Sequence, residues 1–287
     1  MSARLHAAFL ADREGLARRH PEAIHPGWRR YVRLLAGVVA ALGLYVFGLV
    51  WMNAAPLRLL HGLSELASVA RLMWPPYVTD GAKITLYLGA LGQTLAIAFL
   101  GTLMAAVLAL PAGFLAARNV VANRVLRILA RRSLDIVRSI DTLIWALVWI
   151  NVVGLGPFAG ALAIMTTDFA ALAKLMSEAI ETADRKPIDG VTATGAGRLA
   201  VIRFGIVPQI MPIFASQLLY FFESNTRSAT IIGIVGAGGV GLWLSEAIRV
   251  LEWRDVSFII LLVLVAVAAI DLVSRRLRAA IMGARAR

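Results

Sequence analysis

The segment GIVGAGGVG at residues 233–241 sets Gly236, Gly238 and Gly241 in the spacing of a dinucleotide-binding turn, and Asp255 follows Gly236 by nineteen residues. A carboxylate at about that distance binds a ribose hydroxyl in nucleotide-binding folds. That chemistry also needs a strand before the glycines, a helix after them and a second strand ending at the acid. Asp255 instead opens an apolar run with no further strand-and-helix unit behind it. Gly236, Gly238, Gly239 and Gly241 are therefore read as permitting close helix packing, or a bend beside a pathway. A second constellation stands just upstream. Glu223 and Arg227 have the i,i+4 spacing of a structural ion pair, while Ser224, Asn225 and Arg227 together offer hydroxyl, amide and guanidinium donors to an anionic oxygen. The two readings are compatible.

The elements that carry these residues are membrane helices. Of the 287 residues 60% are apolar and 16% charged, too little polar surface for a soluble domain of this size. Residues 84–117 and 142–167 contain no charge at all, and about 20 apolar residues suffice to span a bilayer. The net charge of +12 invites a nucleic-acid reading, but 22 of the 29 Lys and Arg fall in four segments, 4–33, 118–132, 174–203 and 275–287, which alternate with the apolar runs. Such alternation marks cytoplasmic loops, so no nucleic-acid partner is assigned. With no cysteine, thiolate metal sites and nucleophiles are excluded. His6, His20, His25 and His61 have no metal-ligand spacing. No His-rich or paired-carboxylate arrangement at a span end supports a membrane-embedded enzyme. No metal site and no catalytic residue is assigned.

Six membrane helices with both termini in the cytoplasm follow: spans near 34–52, 84–110, a third and fourth joined by GLGP at 154–157, a fifth rising from about Pro208, and a sixth at 256–273. The basic stretch before residue 34 argues against a cleavable signal peptide. Residues 57–77 read as an amphipathic helix on the outer surface, ended by Pro75 and Pro76. Between the fifth and sixth spans, two short helices dipping into the outer half of the membrane would return residues 224–254 to the same side. Counting from Pro208 places Glu223 about 22 Å along its helix, in the outer part of the membrane. The same count puts Asp168 about 16 Å past Pro157, near the bilayer centre, either lining the pathway or bonding a neighbouring span. Arg138 with Asp141, and Asp271 with Arg275, have the spacing of structural pairs.

The polar loop at 177–208 contains DGVTATGAGRLAVIRFGIVP. Pro187 suits the first turn of a short helix and Gly195 its left-handed end. The register of Asp189, Gly190, Ala193, Gly195 and Pro208 resembles the coupling motif of the permease subunits of binding-protein-dependent ABC importers. VGLGPFAGALA at 153–163 and FFESNTRSATIIGIVGAGGVG at 221–241 resemble, within that family, the phosphonate-importer permeases. The resemblance covers roughly residues 83–276, and lacks the proline that the family pattern places near Ile140 and Asp141.

The resemblance implies an all-α polytopic permease of the type I ABC importer fold in a bacterial inner membrane. Its domains are a basic lead-in at 1–33, a first helix and outer segment at 34–82, a transmembrane domain at 83–276 and a basic tail at 277–287. It implies a homodimer in the lipid bilayer with two ATPase subunits and an extracytoplasmic phosphonate-binding protein. No Walker A sequence occurs, so ATP and Mg are used by the partner ATPase and this chain binds no cofactor. The coupling motif speaks against an ion-coupled secondary transporter. Methionine, phosphate or phosphite are the alternative cargoes. The pathway or gate is assigned to Glu223, Ser224, Asn225, Arg227 and Asp168.

Overall fold

A computed structural model describes residues 28–52, 56–78 and 80–283. The lead-in at 1–27, with His6, His20 and His25, and the last four residues lie outside the described part, as does the side chain of His61. The chain forms two compact units, residues 1–68 and 69–287. The first holds α1 (Trp28–Trp51) and most of α2 (Pro56–Leu72). Both match the expected span and amphipathic helix. Residues 31–51 of α1 are apolar or glycine apart from Arg33, and none of the segment's most apolar stretch is buried.

The second unit is a helical bundle: α3 (Gly81–Ala116), α4 (Arg124–Arg138), α5 (Thr142–Val153), α6 (Pro157–Glu181), α7 (Arg185–Ala193), α8 (Arg198–Ala200) running through a π-helical turn (Val201–Ile206) into α9 (Val207–Ile232), a second π turn (Gly233–Ala237), α10 (Val240–Arg249) and α11 (Trp253–Gly283). No strand occurs among the described residues. Five helical segments are long and apolar enough to cross a membrane, and α4 with α5, bent by 89°, makes up to six.

At the centre, α3 and α6 run parallel. A Cβ on Gly101 would lie 2.8 Å from Ile164 and one on Gly113 2.7 Å from Met176, while Gly160 faces Ile97. The offset of sixty-three residues is the same in all three contacts. Small residues allow this approach: Ala98, Ala105, Ala109, Ala163, Ala170 and Ala173 are wholly buried along the seam. Because α3 starts on the outer side, the chain supplies a ruler. Thr102 lies nineteen residues beyond Lys83, about 28 Å at 1.5 Å per residue, and α3 as a whole is about 54 Å long. It therefore runs past a hydrocarbon core of about 30 Å.

Three expectations are corrected. The GLGP turn begins α6 at the level of Thr94 and Ile97 and not at the outer surface, since Gly160 meets Ile97 and Pro157 meets Gly238. Arg138 and Asp141 are not a pair. Asp141 caps α5 by accepting the Leu143 N–H at 2.8 Å, and the chain turns sharply between the two residues. The segment at 224–254 is not two short helices: α9 continues to Ile232 and only α10 is short. Asp271 and Arg275 do pair, at 2.9 Å.

Candidate functional site

The exposed cytoplasmic helix is α7. Asp184 caps it, its carboxylate accepting the Lys186 N–H at 3.1 Å, and Pro187 stands in the first turn. Past its end Gly195 adopts φ +78°, with nothing within 4 Å of where a Cβ would sit. This is the left-handed stop expected there. Asp189, expected near the start, lies mid-helix, so Asp184 serves the dipole in its place. No residue of α7 is buried; Asp189, Gly190 and Ala193 are exposed, as are Gly195 and Pro208. Ile188 packs against Gly205 in the π turn, where a Cβ would come within 3.2 Å of the Ile188 backbone.

A residue that sequence reasoning missed ties α7 to the span. The Gln209 side chain accepts the Asp184 N–H at 2.9 Å and donates to the carbonyls of Asp184, at 3.0 Å, and Gly205, at 2.7 Å. A cleft of about 480 Å³ opens beside α7, lined by Asn119, Glu181, Arg185, Asp189, Thr192 and Arg198 among others. Glu181 forms its floor, accepting from the Arg118 N–H at 2.8 Å and from Arg131.

A polar cluster lies inside the bundle. Asn225 donates to Thr102 Oγ1 at 2.8 Å and to Asp168, and all three residues are buried. They join α9, α3 and α6. On the other flank of α9, Glu223 Oε2 accepts from Arg278 of α11 at 2.8 Å, while its Oε1 lies 4.0 Å from Arg227. These contacts correct the assigned depth. Asn225 sits opposite Thr102, about 28 Å from Lys83, and Glu223 meets the far end of α11. Glu223, Ser224, Asn225 and Arg227 therefore belong to the inner part of the membrane and not the outer. Asp168, opposite the same Thr102, is likewise deeper than the bilayer centre. Counting from Pro208 failed because the helix starts earlier and projects beyond the bilayer. Asp168 and Asn225 face each other in closed core, whereas Arg227 is exposed, with 54% of its side chain accessible.

The glycine segment closes on the GLGP turn. The Gly156 N–H donates to the Gly236 carbonyl at 3.1 Å. Gly236 has φ +105°, and a side chain there would strike Leu155. Gly238 and Gly239 also have positive φ and face Pro157 and Thr94; Gly241 lies against the Thr230 carbonyl. The first N–H groups of α10 are met by side chains: Gly239 donates to Gln93 Oε1 and Val240 to Thr94 Oγ1, both at 2.8 Å. This irregular backbone at membrane depth is tolerated because protein encloses it. Asp255, the would-be ribose ligand, instead anchors the outer end. It accepts from Tyr87 at 2.8 Å and Lys83 at 3.0 Å, and Lys83 also reaches Glu252 at 2.7 Å.

Known proteins share this architecture. Residues 109–282 match the family described as the binding-protein-dependent transport system inner membrane component. In Stutzerimonas stutzeri, HtxC is 39% identical over 217 residues, covering 76% of each chain, and the phosphite transport system permease protein PtxC is 34% identical over 88% of this chain and 90% of its own. The phosphate-import permease protein PhnE of Mycolicibacterium smegmatis is 36% identical over 85% of this chain, which spans 45% of PhnE. Among solved structures, an inward-facing conformation of the MetNI methionine ABC transporter superposes with a TM-score of 0.63 at 21% identity, over 71% of this chain and 99% of that one, a likeness of fold. With an exposed helix on the cytoplasmic side, a broken span and a multi-pass bundle behind them, the chain belongs to the binding-protein-dependent transport system inner membrane component family: it is a multi-pass permease subunit of an ABC importer, which works with an ATPase and a solute-binding protein.

Proposed function

We propose that this permease carries phosphorus oxyanions, phosphonates first among them, inward by alternating access. The cargo class rests on one observation: relatives that align over most of this chain are named as phosphite or phosphate permeases. The segments at 153–163 and 221–241, which resemble phosphonate permeases, form the two sides of one contact, the GLGP turn against the glycine break. MetNI shares the fold alone and lends no cargo.

In this reading two copies of the chain pair about the pathway, each with one ATPase subunit, and an extracytoplasmic binding protein delivers the solute. ATP and Mg stay with the ATPase, and this chain holds no cofactor. α7 seats in the ATPase, with Asp189, Gly190, Ala193 and Gly195 on the docking side. ATPase closure moves α7, and the motion passes through Ile188 on Gly205 and, by the two bonds between Asp184 and Gln209, into α9. Packed elements with discrete arrangements transmit such motion. The glycine break lets the upper end of α9 move separately from α10.

The test is ATPase activity of the complete transporter in lipid, titrated with alkylphosphonates, phosphite, phosphate and methionine presented by the binding protein. Stimulation by phosphonates above the others supports the reading. Stimulation by methionine alone replaces the cargo, and failure to assemble with any ATPase removes the coupling scheme.

A further inference from the structure

Resting on that reading of the cargo, we propose that Arg227 is the guanidinium that receives the permeant oxyanion within the membrane, on an open polar stripe of α9. Gln217, Tyr220, Ser224, Arg227, Ile231 and Ile234 are spaced by three and four residues and so share one helix face. Tyr220, Arg227, Ile231 and, in the π turn beyond α9, Ile234 are exposed, while Gln217 and Ser224 are half-buried, so most of this face is open. The open side of α11 differs, presenting Leu261, Leu264, Val265 and Leu272. Among the described residues the side chains of Gln217 and Ser224 make no hydrogen bond.

Charge decides the occupant. Arg227 and Arg278 share a single carboxylate, Glu223, and Arg278 holds it at 2.8 Å while Arg227 stands 4.0 Å away. Asp168, the other acid at this level, is turned into the core toward Asn225 and Thr102. The exposed stripe thus carries a positive charge whose counter-ion, Glu223 at 4.0 Å, is held more closely by Arg278. Such a charge at membrane depth must face water, another polar surface or an anion. A guanidinium presents a planar fork of N–H donors that fits two oxygens of a phosphonate or phosphate at once. Ser224, one turn below, adds a hydroxyl. The same oxygens occur on a lipid headgroup, so the source must be separated by experiment.

The chain has no cysteine, which makes single cysteines readable without a background. In the complete transporter in lipid, Ser224→Cys and Arg227→Cys are expected to react with a charged, membrane-impermeant thiol reagent supplied on both sides, at least tenfold faster than Leu264→Cys. Methylphosphonate delivered by the binding protein is expected to slow the reaction at Ser224→Cys severalfold. Arg227→Gln is expected to lower methylphosphonate flux at least tenfold with ATPase co-purification retained, and Arg227→Lys to recover part of it. If Arg227→Gln does not assemble, protection at Ser224→Cys decides. Unchanged KM and kcat for uptake in Arg227→Gln, with wild type transporting methylphosphonate, overturns this assignment and leaves the cargo reading standing. Wild type that transports only a solute without phosphorus overturns the cargo reading, and this assignment with it. Reactivity at Ser224→Cys that ignores methylphosphonate but falls as anionic lipid is added assigns Arg227 to a headgroup and overturns the proposal.

Discussion

Gln209→Ala should disconnect chemistry from movement while leaving the protein in the membrane. Two of the side chain's three hydrogen bonds cross the joint between α7 and α9, to the N–H and carbonyl of Asp184, while the third, to the Gly205 carbonyl, stays within the run that leads into α9. A net contribution of about 0.5–1.5 kcal/mol each is typical. Both crossing bonds are exposed, which favours the lower end and gives a loss of about 1 kcal/mol from the joint. That corresponds to roughly a fivefold fall in the ratio of attached to detached joint. The core of the bundle is untouched, so membrane insertion and purification with the ATPase are expected to persist. In proteoliposomes, uptake and ATP hydrolysis measured in the same sample should diverge: hydrolysis retained, solute moved per ATP reduced several times. Gln209→Glu keeps the acceptor for the Asp184 N–H but loses both donors and adds a second carboxylate beside Asp184, so it should fall further than a simple loss of one bond. A wild-type ratio of solute to ATP in Gln209→Ala would refute the idea that this joint carries the stroke, and shift that role to the packing of Ile188 on Gly205.

Three further outcomes follow from the packing. Gly101→Leu places atoms against Ile164 and the Ala161 carbonyl, where a Cβ alone would come within 2.8–2.9 Å, and should cost at least the 1–3 kcal/mol typical of overpacking; Gly92→Leu, with nothing within 4 Å of its Cβ position, should be near neutral, and the two melting temperatures in detergent check the contrast. Asn225→Leu leaves the buried Asp168 without its amide partner, at a cost of about 1–3 kcal/mol, seen as a shortened half-life in detergent; Asp168→Asn should be milder because its amide oxygen can still accept from Asn225. At Gly195 the strain is in the backbone alone: Gly195→Ala at φ +78° costs about 1–2 kcal/mol locally, whereas Gly195→Arg adds bulk on the exposed docking side and should sharply reduce co-purification of the ATPase without lowering the amount of permease in the membrane.

Periodicity and punctuation made the spans and α7 legible, because both are local. An uninterrupted apolar run needs no partner to be recognised, and Gly195 marks its helix end through its own dihedral angle. Depth was not legible. Counting from Pro208 assumed that the helix and the bilayer begin together, yet α8 and the π turn precede α9, and α3 exceeds the hydrocarbon core by about 24 Å. The partners that position the site were hidden for a related reason. Asn225 finds Thr102 across 123 residues of sequence, Gly239 finds Gln93 across 146, and Arg278 finds Glu223 across 55. No helical period links such pairs, and a lone Thr or Gln in an apolar run looks like an ordinary tolerated polar residue.

The glycine spacing that opened the question acquires its meaning from this geometry. A nucleotide loop and a broken membrane helix make the same demand on the chain, backbone in left-handed conformations with no Cβ in the way of a close neighbour. In a nucleotide fold the neighbour is a pyrophosphate and the helix N-terminus is left open to receive it. Here the neighbours are Leu155, Pro157 and Thr94, and the N-terminus of α10 is already satisfied by Gln93 and Thr94. The break is thus a closed joint, and an anion crossing the bundle must find its positive charge elsewhere. Arg227, exposed on α9 and 4.0 Å from Glu223, offers such a charge at membrane depth.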